Sequence, residues 1–241
     1  MTNSPRLSLS VVGAGPVGLA LAKAFADAGH SVVAIATTDP ARVDQVSQVL
    51  PGLRIGDVAS VVSGVDLVIF AIPGSEIESL IRGLVLNEKL KPGQMLVSTS
   101  PDYGYEVFEP AFSLGVVPLA LHPAMRFTGF SSIDRARLQE SYVAVDGPDQ
   151  VLPIAQMLAM EIGGEPIHVG AAARKNYAEA ISVAGTFTNL IVGQSIKLLE
   201  QAGIEKPRNL LSGILRSSLE ESLRNSVTEI DPADLLEGDI D

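Results

Sequence analysis

The sequence lacks cysteine and tryptophan altogether, and its 241 residues include three histidines. Without cysteine the chain has no disulfides, no thiolate metal ligands and no cysteine nucleophile. No apolar run reaches the roughly 18–20 residues that a membrane-spanning helix needs, so no membrane span is predicted. The first residues lead directly into an apolar run, which predicts that no signal peptide is present. No metal-ligand spacing is found either, and no metal site is predicted.

Basic residues are outnumbered by acidic ones, and the formal net charge is −11. This charge argues against a general nucleic-acid-binding surface, which would need lysine and arginine to neutralise phosphates. Much of the acidity follows Glu220, and a tail from about residue 227 is predicted to be solvated. Hydrophobic residues make up 46% of the chain, as is typical of a well-packed α/β protein. These features favour a cytoplasmic enzyme that acts on a small molecule.

A glycine-rich loop follows an apolar run that ends at Val12, and an alanine-rich amphipathic stretch follows the loop. The order predicts a strand, a tight turn and a helix. In a G-x-G-x-x-G loop the first glycine permits the turn, the second lets a pyrophosphate approach the backbone, and the third lets the helix pack on the strand. The N–H groups at the helix start then bind the phosphates. The predicted dinucleotide-binding residues are Gly13, Ala14, Gly15, Pro16, Val17 and Gly18. The alternative is a glycine-rich turn without a ligand.

The end of the second predicted strand, residues 31–36, bears on the choice of cofactor. An acidic residue there binds the ribose of NAD, whereas hydroxyls and an arginine suit the 2′-phosphate of NADP. The sequence offers Thr37, Thr38 and Arg42, while Asp39 before Pro40 is typical of a helix N-cap. We therefore predict NADP as the preferred cofactor, with NAD as the alternative. Arg42 could also be a solvated residue of the second helix.

Two further strand ends carry candidate cofactor contacts, because ligands of open α/β sheets bind beyond the carboxyl ends of the strands. The strand 66–72 ends in Ala71, Ile72 and Pro73, a segment with few side-chain demands that leaves its backbone open to a dinucleotide. The strand 94–98 ends in Ser98, Thr99 and Ser100. Their hydroxyls either contact the nicotinamide side or cap the following segment.

A histidine follows the apolar strand 115–121, where it would lie above the cofactor crevice. His122 is therefore a candidate acid/base, although a lone histidine is more often structural. Nearby Arg126, or Lys175 further on, would hold an anionic group of the substrate. His168, within the last predicted strand, is interpreted as structural.

The pattern changes after residue 169, from alternating strands and helices to helices alone. We predict an α/β fold: a Rossmann-type, doubly wound and mostly parallel sheet in residues 1–169, then a small all-helical C-terminal domain in residues 170–241. A polar stripe along the first long helix is either its solvent face or a wall of the substrate cleft; it consists of Lys175, Glu179, Ser182, Thr186 and Asn189. The helical part is too small to bury its own faces, so it packs either on the first domain or against another copy of the chain; we predict a homodimer formed through these helices.

The loop Gly13–Gly18, the strand end at Ala71–Pro73 and the helical C-terminal part resemble the 6-phosphogluconate dehydrogenase-like superfamily. This superfamily includes pyrroline-5-carboxylate reductase, prephenate dehydrogenase and deazaflavin-dependent NADP reductases. The segment 121–129, together with Gly163–Pro166 and the spacing Arg174-x-x-Tyr177, resembles a Rossmann-like family of oxidoreductases known mainly as a domain of unknown function. The His-Pro pair is also similar to that of prephenate dehydrogenases, which implies an acid/base role for His122.

The resemblance implies an NAD(P)-dependent oxidoreductase that moves a hydride between the nicotinamide and a C=O or C=N carbon of a small anionic substrate. His122 or Tyr177 would manage the proton. In the family of unknown function the tyrosine is followed by histidine, with asparagine further along the helix; Ala178 and Thr186 stand there in this chain. These departures motivate an alternative, a catalytically silent dinucleotide-binding regulatory protein. A prephenate-dehydrogenase-like oxidation is the alternative within the enzyme class.

Overall fold

The computed structural model describes residues 6–129 and 131–225, and its elements alternate between strand and helix up to the end of the sheet. The strands are β1 (Ser8–Val12), β2 (Ser31–Ala36), β3 (Arg54–Gly56), β4 (Leu67–Phe70), β5 (Met95–Ser98), β6 (Val117–Pro123), β7 (Tyr142–Asp146) and β8 (Glu165–His168). The helices are α1 (Pro16–Asp27), α2 (Pro40–Val49), α3 (Val58–Val62), α4 (Gly74–Leu86), α5 (Ser131–Leu138), α6 (Leu152–Glu161), α7 (Ala171–Gln201) and α8 (Pro207–Arg224). A 3-10 segment spans Tyr105–Leu114.

The eight strands form one sheet in the order β3-β2-β1-β4-β5-β6-β7-β8. All neighbouring strands are parallel except β6 and β7, which run antiparallel. The order reverses direction at β1, as in doubly wound dinucleotide-binding sheets. The predicted fold class, a mostly parallel sheet followed by helices, is thereby confirmed.

The central strand β4 is apolar along its whole length, as is typical of a strand in a sheet covered by helices on both faces. In β1, Leu9 and Val11 belong to one buried cluster, whereas Val12 belongs to the cluster on the opposite face. In β4, Ile69 and Phe70 divide in the same way between the two clusters. The alternation of the strand backbone therefore builds two cores, one on each side of the sheet.

The parallel strands end level with one another, which brings their connecting loops to one edge. Val12 pairs with Phe70, Phe70 with Ser98, and Ser98 with Ala120. Strand β6 continues beyond this line to Pro123, and the extension pairs with the antiparallel β7. Asp146, the last residue of β7, pairs with Ala120 and so lies at the same edge.

The chain divides into two compact units, one ending at Ser182 and the other beginning at Val183. The first contains the sheet, helices α1 to α6 and the start of α7, and the second contains the rest of α7 and α8. The predicted domain boundary at residues 169/170 coincides instead with the start of α7 and stays a prediction. The predicted acidic tail lies outside the described residues. In residues 6–129 and 131–225, no helix combines the length and the apolar character that crossing a membrane requires.

Candidate active site

The glycine loop holds the start of α1 against the end of β1. Gly13 has φ +107°, and a Cβ there would lie 2.3 Å from the carbonyl oxygen of Ala71. A Cβ on Gly18 would lie 1.9 Å from the carbonyl oxygen of Gly13. Both positions therefore require glycine for packing. Gly15 differs, since its Cβ would meet no atom within 4 Å.

The first turn of α1 is open to a ligand. Gly15 is the N-cap residue and provides no side chain to bind the free N–H groups of the first turn. Pro16 is the first helical residue, where a missing N–H costs little. Unpaired N–H groups and the positive end of the helix dipole together favour an anion at this point.

A cavity of about 1100 Å³ opens in front of this helix start. Eight of the predicted cofactor-binding residues line it, and six of them come from the glycine loop and the segment after β4: Gly15, Pro16, Val17, Ala71, Ile72 and Pro73. It is also lined by Thr99, Ser100, His122 and Lys175. The edge of the sheet thus brings the glycine loop, two further strand ends and the candidate acid/base around one space.

Four predicted site residues, described next, are absent from the described lining of this cavity. Ala14 is buried, and Gly18 packs against Gly13. Ser98 is fully buried; its hydroxyl donates to the carbonyl of Tyr103 and accepts from the N–H of Ser100. Arg126 is exposed, and it is absent from the described lining of the cavity. The geometry at Ser98 is that of a residue that caps the following segment.

The hydroxyls of Thr99 and Ser100 are also engaged within the protein, although both residues line the cavity. Thr99 Oγ1 donates to the carbonyl of Phe70 at 3.1 Å. Ser100 Oγ accepts from the N–H of Asp102 at 3.2 Å. These bonds fix the loop after β5, so that its backbone and hydroxyl oxygens border the cavity in a defined conformation.

A second cavity of about 570 Å³ lies beyond the ends of β1 and β2. Its lining includes Gly13, Thr37 and Thr38 from the predicted cofactor set. Arg42 is held on its own helix: Nη1 donates to Gln45 Oε1 at 3.0 Å, and Nε lies 3.6 Å from Asp39 Oδ2. Asp39 caps α2 by accepting from the N–H of Ala41.

His122 and Tyr177 form a hydrogen-bonded pair, with 2.7 Å between Nδ1 and the phenol oxygen. Burial, and then the charge of Arg174, lower the pKa of His122 to about 4. Burial raises the pKa of Tyr177 to about 12, and Arg174 opposes that rise. At neutral pH His122 is therefore uncharged and Tyr177 is protonated. In the described part of the chain, no hydrogen bond involves Nε2 of His122.

A buried ion pair fixes the arginine beside this pair. Arg174 is 4% exposed and Asp146 2% exposed. Nη2 of Arg174 donates to Asp146 Oδ2 at 3.1 Å and to the carbonyl of Val169 at 2.6 Å. The other carboxylate oxygen accepts from the N–H of Gly147 and lies 3.3 Å from His168 Nε2. His168 therefore supports this network.

Sequence reasoning did not select Asp146 or Arg174 as site residues. One signal was present for the arginine, because Arg174 and Tyr177 are three residues apart and therefore lie on one face of a helix. For Asp146 the only signal was a carboxylate at the end of an apolar strand. Their pairing across 28 residues has no local signature.

Two family models match successive parts of the chain. A model of a Rossmann-like domain matches residues 1–123, about half of the sequence. The chain belongs to this Rossmann-like family. A second model, a domain of unknown function (DUF2520), matches residues 141–231. Both matches confirm the resemblance carried by the glycine loop and the His-Pro segment. A search of curated proteins found no match.

Solved structures share the Rossmann-like architecture over nearly the whole chain. The candidate NADP oxidoreductase BF3122 from Bacteroides fragilis is 17% identical with a TM-score of 0.76, covering 96% of this chain and 87% of its own. The 1-pyrroline-5-carboxylate reductase from Streptococcus pyogenes is 16% identical with a TM-score of 0.67, and the match covers 99% of this chain and 86% of the reductase. An imine reductase from a Pseudomonas species is 16% identical with a TM-score of 0.68, and the match covers 91% of this chain and 76% of the imine reductase. At such identities the likeness establishes the fold.

The lowered pKa of His122 predicts a specific pH dependence of stability. Between pH 6.5 and pH 4 the unfolded chain binds a proton at His122 that the folded chain does not, so the free energy of unfolding falls as the pH falls. Over this window the fall is roughly 3 kcal/mol. Urea unfolding at several pH values should show this loss in the wild type and not in His122→Asn.

Above pH 6.5 the two proteins should keep a constant difference in stability, which serves as the control. Chemical-shift titration of the imidazole gives the pKa directly. A pKa near 6.5, or parallel stability curves down to pH 4, would contradict the prediction.

Proposed function

We propose that this chain is an NAD(P)-dependent oxidoreductase that transfers a hydride between the nicotinamide and a C=O or C=N carbon of a small anionic substrate. The observation that carries the proposal is one cavity shared by the open start of α1 and the uncharged His122. The names of two neighbours, a pyrroline-5-carboxylate reductase and an imine reductase, fit a C=N substrate.

The residues around the helix start fit a dinucleotide. The backbone at Gly15 is extended, with φ −70° and ψ 177°, and a side chain there would project into open space. A pyrophosphate can therefore come close to the N–H groups of Val17 and Gly18 in the first turn. Ala71, Ile72 and Pro73 offer an apolar wall next to it.

A bound reduced dinucleotide supplies the hydride, and the substrate oxygen or nitrogen then needs one proton. Only about one His122 in a thousand is an imidazolium at pH 7, given a pKa of about 4. Neutral His122 instead donates its Nε2 proton while Nδ1 accepts the proton of Tyr177. The positive charge of Arg174 offsets the phenolate until solvent reprotonates Tyr177. His122 is the acid that contacts substrate, and Tyr177 supplies its proton.

NADP is the preferred cofactor in this proposal. The hydroxyls of Thr37 and Thr38 border the second cavity, where the adenosine ribose would lie. Asp39 caps α2 instead of facing a ribose. Arg42, with a side chain 39% exposed, is free to exchange its contact to Gln45 for a 2′-phosphate. Lys175, which lines the main cavity, is available to an anionic substrate group.

Self-association through the C-terminal helices also belongs to this proposal. In the second unit, large apolar side chains remain exposed: Leu190 at 62%, Ile191 at 57% and Leu219 at 59%. Exposed apolar surface of this extent on two helices is typical of an interface between subunits. Light scattering should give a dimer mass, and a monomer mass would contradict this part of the proposal.

Titration with NADPH and NADH tests the proposal. Gly15→Val places two methyl groups where the pyrophosphate must approach, in a backbone conformation that valine adopts readily. We expect the Kd of NADPH to rise by about 100-fold or more, which corresponds to at least two lost charge-assisted hydrogen bonds. The melting temperature should stay within a few degrees of the wild type. Equal affinity of the wild type and Gly15→Val for NADPH would contradict the assignment of the glycine loop as the dinucleotide-binding site.

Arg42→Ala tests the cofactor preference. Loss of an arginine–phosphate contact should raise the Kd of NADPH by about tenfold and leave that of NADH nearly unchanged. Arg82→Ala, which removes an exposed arginine paired with Glu78, is a control of equal charge. If the Kd values of NADPH and NADH rise by the same factor, Arg42 does not bind the 2′-phosphate.

Variants of the histidine–tyrosine pair test the chemical step. His122→Asn should lower the single-turnover rate of NADPH oxidation about 10²- to 10⁴-fold, with an unchanged Kd for NADPH. Tyr177→Phe keeps the ring but removes the proton, and should lower the rate by about tenfold or more. Stopped-flow absorbance with cyclic imines and 2-oxo acids gives both rates. An unchanged rate in His122→Asn would rule out its role, and cofactor binding without turnover would favour the silent binding protein.

A further inference from the structure

Arg174 has buried N–H donors for which the described residues provide no acceptor. A guanidinium carries five N–H donors. The two on Nη2 bind Asp146 and the carbonyl of Val169. Nε and Nη1 are buried and have no hydrogen-bond partner among the described residues. Because unpaired buried charged donors are costly, this arrangement calls for a further acceptor.

The position of Arg174 indicates where that acceptor comes from. The residue is 4% exposed, yet it lines the main cavity together with His122. Its charge acts on both members of the His122–Tyr177 pair, so it lies within electrostatic reach of the reacting centre. An acceptor that enters the cavity next to His122 is therefore also next to Arg174.

We propose that Arg174 binds the carboxylate of the substrate through Nε and Nη1, and thereby selects α-imino or α-oxo carboxylates. This inference rests on the proposed function. Arg174 and Tyr177 are adjacent on one face of α7. A carboxylate held by the first would place the neighbouring C=N or C=O group next to the histidine that the second contacts.

Charge in the cavity favours a singly charged ligand group. Asp146 already neutralises much of the charge of Arg174, and the side chains of Asp102 and Glu106 also line the cavity. Lys175 adds one exposed cation. A phosphate dianion would meet more repulsion from these carboxylates than a carboxylate would, so we expect the cavity to discriminate between the two.

Rigidity separates Arg174 from the other candidate cations. Arg174 is held by two hydrogen bonds at one nitrogen, and its charge is shielded from water. Lys175 and Arg126 are exposed, where a charge is screened and a flexible side chain must be ordered on binding. A fixed, desolvated guanidinium therefore provides the stronger and more specific anion site.

The test observes the Nε–H signal of Arg174 by ¹H–¹⁵N NMR of the full chain saturated with NADP⁺. The probes are pyruvate, its neutral amide pyruvamide, and inorganic phosphate. Pyruvate should shift the Arg174 signal in a saturable way, while pyruvamide and phosphate should shift it less or bind at least tenfold more weakly. Equal responses to pyruvate and pyruvamide, or no response to pyruvate, would overturn the inference, and a stronger response to phosphate would overturn the carboxylate class.

Variants show whether the arginine itself binds. Arg174→Lys keeps a charge for Asp146 but removes the planar donors, and should raise the Kd of pyruvate about tenfold. The pair Arg174→Met with Asp146→Asn removes both charges without leaving a buried carboxylate unpaired, and should raise it about 100-fold. Backbone signals of the sheet report whether each variant is folded. Pyruvate affinity unchanged in either folded variant would overturn the inference.

Arg82→Met with Glu78→Gln removes an exposed ion pair and, like the double variant at Arg174 and Asp146, leaves the net charge unchanged; this matched control should bind pyruvate as the wild type does. Titration of NADPH and of pyruvate into samples of the same proteins prepared without NADP⁺ separates the two proposals. Normal NADPH binding without a pyruvate response contradicts only the role of Arg174. Pyruvate binding to Arg174 in a protein that binds no dinucleotide contradicts the proposed oxidoreductase instead.

Discussion

The close approach of α1 to the end of β1 determines where the site can form. The turn between them leaves no room for a Cβ on Gly18, which would lie 1.9 Å from the carbonyl of Gly13. Glycine at both positions lets the helix begin directly at the carboxyl edge of the sheet. Since the parallel strands end in register, the segments after Val12, Phe70, Ser98 and Ala120 meet at this same helix start.

A second constraint sets the side of the cavity that contains His122. Strand β6 extends past its parallel neighbours, and the antiparallel β7 returns along this extension to end at Asp146. There the carboxylate binds Arg174 in the first turn of α7. Removing one partner of such a buried pair costs about 3–5 kcal/mol, so the start of the helix is held firmly. Tyr177, one turn further, is thereby brought to His122.

The sequence sufficed for the features that depend on local pattern. Apolar runs, glycine spacing and proline positions predicted the sheet, the loop at Gly13–Gly18 and the location of His122 at a strand end. Strand direction has no such signature, and the sequence of β7 gave no indication that this strand runs antiparallel to β6. The Asp146–Arg174 pair depends on that direction, so it too was missed. Hydroxyls at Ser98 and Ser100 were ambiguous because capping and ligand binding use the same residue types.

On our proposals, the location of a cation next to an uncharged histidine links substrate recognition to proton transfer. Arg174 lowers the proton affinity of His122, and a carboxylate bound to Arg174 would offset that charge. On our proposals, a substrate that binds Arg174 through its carboxylate therefore raises the pKa of His122, the residue that donates a proton to it. The effect on Tyr177 has the same sign: Arg174 lowers the pKa of the phenol, so a carboxylate bound to Arg174 would raise it. By linkage, protonation of His122 must strengthen carboxylate binding by the same free energy. The buried ion pair positions the start of α7 beside His122, and on our proposals it also couples carboxylate binding to the protonation of His122.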